Sequence, residues 1–161
     1  MKTLILMRHA KSGWDNPDLR DRDRPLNKRG QRAAPMVGAW LAAKGYVPDV
    51  ALVSDARRTQ ETWALLGLNT KQETLASLYL ADPRDMLSEI AKADGDCVMV
   101  LGHNPGMGEL SAELCADWPK HEQFMRFPTA SVCVLTFQTD DWGQLTEGSG
   151  TLVDFVTPGD L

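Results

Sequence analysis

Residues 4–10 read Leu-Ile-Leu-Met-Arg-His-Ala, an apolar run that passes directly into a cation and an imidazole. The apolar residues predict a buried β-strand, with Arg8 and His9 at its carboxyl end. In an open α/β sheet, ligands bind outside the carboxyl ends of the strands. A histidine beside an always-charged guanidinium is a candidate nucleophile next to an anion-binding group.

Two further apolar runs end in the same way. Residues 98–101 lead into Gly102 and His103, and residues 51–53 lead into Ser54 and a segment that contains Arg58. If a helix starts there, Arg58 rises from its first turn, where free N–H groups and the helix dipole favour an anion. Three strand ends would thus bring two histidines and two arginines to one edge of a sheet, which indicates chemistry on phosphate.

The elements alternate between strand and helix along the chain. This order predicts an α/β fold: a three-layer α/β/α sandwich with a mostly parallel sheet of about six strands, one of them antiparallel near the C-terminus. The strands are expected at about residues 3–8, 50–53, 73–79, 97–102, 131–138 and 150–156, with the last two antiparallel to each other. Helices are expected at about 27–44, where Pro35 should introduce a kink, and after the second strand to about residue 66. Further helices are expected from Asp82-Pro83, from Asn104-Pro105 and over 119–127.

Composition excludes several classes of protein. With 161 residues, 43% hydrophobic and 24% charged, the chain is expected to form one domain over residues 1–161. A net charge of −5 argues against a nucleic-acid partner. No apolar run is long enough for a signal segment or a membrane span, so we expect a cytoplasmic protein. The three cysteines lack metal-site or CxxC spacing, so we expect them to be reduced and the protein to need no metal or cofactor.

Basic residues cluster between Arg20 and Arg32, but aspartates alternate with them. We interpret this segment as a solvated loop with ion pairs, while a flanking surface that meets an acidic partner is the functional alternative.

Four motifs in order resemble those of the histidine phosphatase superfamily, also called phosphoglycerate-mutase-like. Arg8-His9-Ala10 resembles its Arg-His-Gly signature, residues 54–62 its second motif with Arg58 as the matching arginine, and residues 102–106 its second histidine motif. Residues 24–30 are similar to the segment that leads into its first helix. The likeness covers residues 2 to about 154 and is strongest to the short SixA-like phosphohistidine phosphatases, which lack a helical cap insertion.

The resemblance implies a metal-independent phosphatase in which His9 attacks phosphorus and carries a covalent phosphohistidine. Arg8, Arg58 and a protonated His103 would bind the phosphoryl oxygens. The expected substrate is phosphohistidine on a protein. A small-metabolite phosphomonoester is the alternative, and a non-catalytic phosphate- or phosphoprotein-binding module is a remote one.

Two departures from the family pattern bear on the chemistry. Ala10 replaces the usual glycine, and no glutamate follows the third strand as a general acid. Asp15 and Asp82 are weak candidates for that acid, although Asp82 also fits a helix cap. A phosphohistidine needs an acid less than a phosphomonoester does, because its imidazole leaving group can take a proton from solvent near neutral pH. Trp14, next to the first motif, is expected to pack beneath its loop rather than to line the site.

Overall fold

The three apolar runs form neighbouring parallel strands of one six-stranded sheet. The computed structural model describes all residues from 1 to 161. The strands are β1 (Lys2–Arg8), β2 (Val50–Ser54), β3 (Lys71–Leu75), β4 (Cys97–Gly102), β5 (Val132–Phe137) and β6 (Thr151–Val156). The strand order is β3-β2-β4-β1-β5-β6, and β5 pairs antiparallel with both β1 and β6 while the other pairs are parallel. The predicted fold class is therefore confirmed.

Helices cover both faces of the sheet because its central strands carry apolar side chains on both sides. The helices are α1 (Lys28–Lys44), α2 (Arg57–Leu66), α3 (Pro83–Ile90) and α4 (Gly106–Leu114). Leu4 and Leu6 belong to the core beneath α3 and α4, whereas Ile5 and Met7 belong to the core beneath α1 and α2. This alternation follows from the two-residue period of a strand. None of the helices combines the length and apolar composition that crossing a membrane requires.

Helix α1 begins and ends where its sequence signals predict. The side chain of Asn27 accepts a hydrogen bond from the N–H of Gly30 at 2.9 Å, and Gly45 ends the helix with φ 75°. Pro35, where the sequence predicts a kink, lies inside the helix, which continues through it to Lys44. Pro35 and Gln31, whose carbonyl loses its N–H partner, are both exposed, so water can hydrate that carbonyl.

Two predicted elements were misplaced. Strand β3 covers Lys71–Leu75, and the residues Ala76–Leu78 that follow form a 3₁₀ turn instead of continuing the strand. Residues 119–127 form turns instead of the predicted helix. Phe124 and Phe127 are buried in the core beneath α3 and α4, and Phe127 adopts φ 47°. Tertiary burial of these two rings with a left-handed backbone outweighs the local helical preference.

A glycine sets the distance between α1 and α2. A Cβ atom on Gly38 would lie 1.9 Å from the carbonyl oxygen of Leu66. Only glycine allows this approach, which packs α2, and with it Arg58, closely against the rest of the fold.

Candidate active site

The carboxyl ends of three adjacent strands form the floor of a surface pocket. Arg8 at the end of β1 is in register with Gly102 at the end of β4, and β2 pairs with β4 on the other side. A pocket of about 350 Å³ opens above these ends. The structure brings together the four residues that the sequence singled out, Arg8, His9, Arg58 and His103. The pocket is also lined by Lys11, Ser12, Trp14, Asp21, Arg24, Leu80, Asn104 and Thr129.

His9 is a buried, neutral imidazole with one nitrogen fixed. Its Nδ1–H donates to the carbonyl oxygen of Ala10 at 2.6 Å, which leaves the lone pair on Nε2. Burial lowers the pKa of His9 to about 3, and the hydrogen bond to Ala10 only partly opposes this shift. Nε2 therefore keeps a free lone pair across the neutral pH range, which is the form that a nucleophilic histidine requires.

The segment after His9 is tied to the helix that carries Arg58. The N–H of Ala10 donates to Thr62 Oγ1 at 3.0 Å, and that hydroxyl donates to the carbonyl of Arg58 at 2.7 Å. Ala10 is fully buried in this arrangement. Alanine at the usual glycine position is therefore accommodated by the backbone.

His103 is held by two contacts on opposite sides of its ring. Arg58 Nη2 lies 3.4 Å from Nδ1, and Nε2 lies 2.8 Å from Ser54 Oγ. Because a guanidinium can only donate, Nδ1 accepts, so the proton is on Nε2 and points to Ser54. Burial, followed by the charge of Arg58, lowers the pKa of His103 to about 3. His103 is thus neutral here, whereas the sequence-based mechanism has it protonated when a phosphoryl dianion is bound.

Each of the two arginines has one buried donor without a hydrogen-bond partner. The Nε atoms of Arg8 and Arg58 are buried without a hydrogen-bond partner. Arg8 Nη1 donates to the carbonyl of Phe127 at 3.2 Å, which orients its guanidinium. Burial and the nearby charge of Arg58 lower the pKa of Arg8 below its ordinary value. Two guanidinium groups that line one pocket favour a doubly charged anion between them.

Sequence reasoning missed an acidic residue in the pocket, Asp21. Arg58 Nη2 donates to Asp21 Oδ2 at 3.0 Å, Arg24 Nε donates to Oδ1 at 3.1 Å, and the hydroxyl of Tyr79 also donates to the carboxylate. Burial opposes ionisation of Asp21, but the hydrogen bonds from Tyr79 and Arg58 outweigh it and lower its pKa to about 2. Asp21 is therefore a carboxylate at any neutral pH, and a poor proton donor.

The interpretation of the basic segment as a solvated loop was only partly right. Arg20 pairs with Asp23 at the surface, as expected. Arg24 is buried and lines the pocket, where its guanidinium lies 3.4 Å from the ring centroid of Trp14. The prediction that Trp14 packs beneath its loop was wrong, since its surface is 73% exposed at the rim of the pocket. No spacing in the sequence distinguishes Asp21 from its neighbours Asp18 and Asp23.

Comparison with known proteins places this geometry in a family. Residues 4–79 match the model of the histidine phosphatase superfamily (branch 1). An uncharacterised protein of Mycobacterium tuberculosis is 35% identical over 94% of this chain and 99% of its own length. A structure assigned as the phosphohistidine phosphatase SixA of Nakamurella multipartitia has a TM-score of 0.84 and 32% identity, covering 98% of this chain and 96% of that one. The corresponding protein of Agrobacterium tumefaciens has a TM-score of 0.78 and 29% identity, with 98% of both chains covered.

The chain belongs to the histidine phosphatase superfamily. Its structural similarity to the two SixA proteins spans nearly its whole length and includes the strand ends that carry the pocket. Membership supports a hydrolase that acts on phosphoryl groups. None of its His, Cys, Asp and Glu side chains form a group of three or more that is arranged to hold a metal ion.

The two carboxylates considered as the general acid of this histidine phosphatase lie outside its pocket. Asp15 is exposed and is not among the lining residues. Asp82 accepts a hydrogen bond from the N–H of Asp85 at 2.9 Å and caps α3. The structure therefore does not bring either residue to His9.

Proposed function

We propose that this histidine phosphatase removes the phosphoryl group from phosphohistidine on a protein through a covalent intermediate on His9. The observation that carries the proposal is the buried Nε2 lone pair of His9, fixed by Ala10, in a pocket with two guanidinium groups. Such a neutral imidazole attacks phosphorus without first losing a proton.

The first half of the reaction transfers the phosphoryl group to the enzyme. Nε2 of His9 attacks in line, the N–P bond of the substrate breaks, and the leaving imidazole takes a proton from solvent. Arg8 and Arg58 neutralise the equatorial oxygens. The bound dianion favours the charged form of His103, which takes up a second proton from solvent at Nδ1 and uses it to hydrogen-bond a phosphoryl oxygen, while its Nε2–H stays on Ser54. In the second half water attacks the phosphohistidine, inorganic phosphate leaves, and Nε2 regains its lone pair.

The charge state of the pocket carboxylate favours this substrate class. A phosphomonoester releases an alkoxide, and protonation of that group by a general acid contributes about 10²–10⁴ to the rate. Asp21 is ionised, with a pKa of about 2, and Asp15 and Asp82 lie outside the pocket. A phosphohistidine avoids this requirement, because imidazole is a better leaving group than an alkoxide.

The exposed rim of the pocket supports a macromolecular substrate. Trp14 and Leu80 line the pocket and are 73% and 53% exposed. Large apolar side chains around an opening at the surface are suited to contact with another protein surface.

The test is release of phosphate from a phosphohistidine-bearing carrier protein and, in parallel, from an aryl phosphate. We expect the carrier to be preferred and an acid-labile phosphoryl group to appear on the wild-type protein but not on His9→Ala. Turnover of the aryl phosphate alone would indicate the alternative, a small-metabolite phosphatase. Phosphate release that survives in His9→Ala would overturn the mechanism, and phosphate binding without any turnover would indicate a non-catalytic module.

A further inference from the structure

A second pocket lies directly beside the active site. It has a volume of about 330 Å³ and shares Lys11 and Thr129 with the first pocket. The two pockets therefore form adjoining parts of one surface depression. The second pocket is also lined by Arg29, Arg32, Ala33, Met36, Pro158 and Gly159.

The second pocket is cationic and has no acidic lining residue. Lys11, Arg29 and Arg32 are exposed, and none of them forms an ion pair or a side-chain hydrogen bond. The arginines around the phosphate pocket differ, since Arg24 and Arg58 are each paired with Asp21. Helix α1 itself carries four basic residues and no acidic one, in a chain with 22 acidic and 17 basic residues.

The cations are attached to rigid backbone. Arg29 and Arg32 are three residues apart on α1, so they project from neighbouring positions of one helix face. The carbonyl of Lys11 accepts from the N–H of Asn27 at 3.0 Å, and a Cβ on Gly30 would lie 2.2 Å from that carbonyl. The close contact at Gly30 fixes the Lys11 segment against the first turn of α1. The fold thus sets the spacing of the backbone positions that carry the three charges.

We propose that the second pocket is an anion subsite that binds an acidic side chain of the protein substrate, next to its phosphohistidine. This inference rests on the proposed function of the neighbouring pocket. Lys11 lines both pockets, so a chain whose phosphohistidine enters the first pocket would place its adjoining residues over the second. Arg29 and Arg32 can each bind a carboxylate with two parallel N–H donors. The protein as a whole carries a net charge of −5 and therefore repels an acidic partner. The local cations favour the orientation in which the carboxylates of that partner face the second pocket.

The experiment compares kcat/KM for three phosphohistidine peptides. One carries two glutamates before the phosphohistidine, one carries them after it, and the reference carries glutamines on both sides. The variant is Arg29→Gln/Arg32→Gln. The matched control is Lys28→Gln/Lys44→Gln, which removes the same charge from the same helix but from side chains that do not line either pocket. The ratio of kcat/KM for the glutamate peptide to kcat/KM for the glutamine peptide is measured with each protein separately. A smaller fraction of folded enzyme in one variant therefore does not change the ratio.

We expect wild type and the control to prefer one glutamate peptide by about five- to tenfold, as two exposed ion pairs allow. This ratio should fall to about one in Arg29→Gln/Arg32→Gln, and it should shrink in wild type as the salt concentration rises. A ratio near one in wild type, or an equal ratio in both variants, would overturn the subsite.

A second arm separates failure of the subsite from failure of the proposed function. If wild type hydrolyses only an aryl phosphate, the unphosphorylated glutamate and glutamine peptides are tested as inhibitors of that reaction. Stronger inhibition by the glutamate peptide, lost in Arg29→Gln/Arg32→Gln but kept in the control, would support the subsite although the proposed substrate is wrong. A preference for a carboxylate-bearing over a neutral aryl phosphate, without any response to the peptides, would assign the pocket to a small molecule and overturn the proposal.

Discussion

The backbone and the side chain of Asp21 together occupy the outer edge of the Arg58 guanidinium. Nη1 donates to the carbonyl oxygen at 2.7 Å, and Nη2 donates to the carboxylate at 3.0 Å. These contacts orient Arg58 and leave its buried Nε without a partner. The same carboxylate places a negative charge next to a pocket that we propose to bind a dianion. Asp21 therefore has two opposing effects: it positions Arg58, and it weakens the attraction for phosphate.

Removing that charge should strengthen phosphate binding. We expect Asp21→Asn to lower the inhibition constant of inorganic phosphate about three- to tenfold, since charges a few ångströms apart near a protein surface interact by on the order of 1 kcal/mol after screening. The measurement is competitive inhibition of aryl phosphate hydrolysis at pH 7. Asp23→Asn is the matched control, because Asp23 pairs with Arg20 at the surface and does not line the pocket. Unchanged or weaker inhibition in Asp21→Asn alone would show that positioning of Arg58 dominates.

The two buried histidines should make folding stability depend on pH. The pKa values of His9 and His103 are lowered to about 3 in the folded protein, against about 6.5 in an unfolded chain. Below pH 6.5 these two histidines bind protons in the unfolded chain but not in the folded protein. Their contribution to the free energy of unfolding is therefore complete above pH 6.5 and is lost as pH falls toward 3. Each histidine can contribute a slope of up to about 1.4 kcal/mol per pH unit to the free energy of unfolding.

Urea unfolding at pH 7, 6 and 5 measures this slope. We expect it to be smaller in His9→Gln and in His103→Gln than in wild type, because each variant removes one titrating group. Identical slopes in all three proteins would mean that the histidines are not held neutral by burial.

The fold and the basic half of the site follow from local sequence signals. Apolar runs followed at once by Arg8, Ser54 and His103 reveal the ends of buried strands, and the parallel sheet brings those ends together. The caps at Asn27 and Asp82 locate helix starts because each side chain bonds a backbone N–H three residues later. These signals depend on neighbours in the chain, which is why they can be recognised without a structure.

Asp21 and Trp14 were not predicted because their roles depend on contacts that are distant in sequence. Asp21 reaches the pocket through Arg58 and Tyr79, 37 and 58 residues away. The ring of Trp14 packs against the guanidinium of Arg24 and not against a core residue, so it stays exposed. The same limitation explains residues 119–127, where burial of two phenylalanine rings decides the backbone.

The two carboxylates outside the pocket should be dispensable for catalysis. We expect Asp15→Asn to change kcat/KM for an aryl phosphate by less than about twofold. Asp82→Ala should leave that activity similar but lower the free energy of unfolding by about 0.5–2 kcal/mol, because the N–H of Asp85 loses its cap. Asp82→Asn, which can keep the cap, is the control for stability. A hundredfold loss of phosphomonoester turnover in Asp15→Asn or Asp82→Asn would identify a general acid that moves into the pocket.

Thr62 couples the segment of the proposed nucleophile, His9, to helix α2, which carries Arg58. Its buried hydroxyl accepts from the N–H of Ala10 and donates to the carbonyl of Arg58. Thr62→Val keeps the volume but leaves the N–H of Ala10 buried without an acceptor, which costs about 1–3 kcal/mol of the free energy of unfolding. We expect kcat/KM to fall as well, because the backbone next to His9 loses its hydrogen-bonded link through Thr62 to the carbonyl of Arg58. Thr62→Ser should keep both contacts and recover most of the activity. Urea unfolding and steady-state kinetics on all three proteins test this coupling, and a Thr62→Val protein as stable and active as wild type would show that packing alone holds the two segments together.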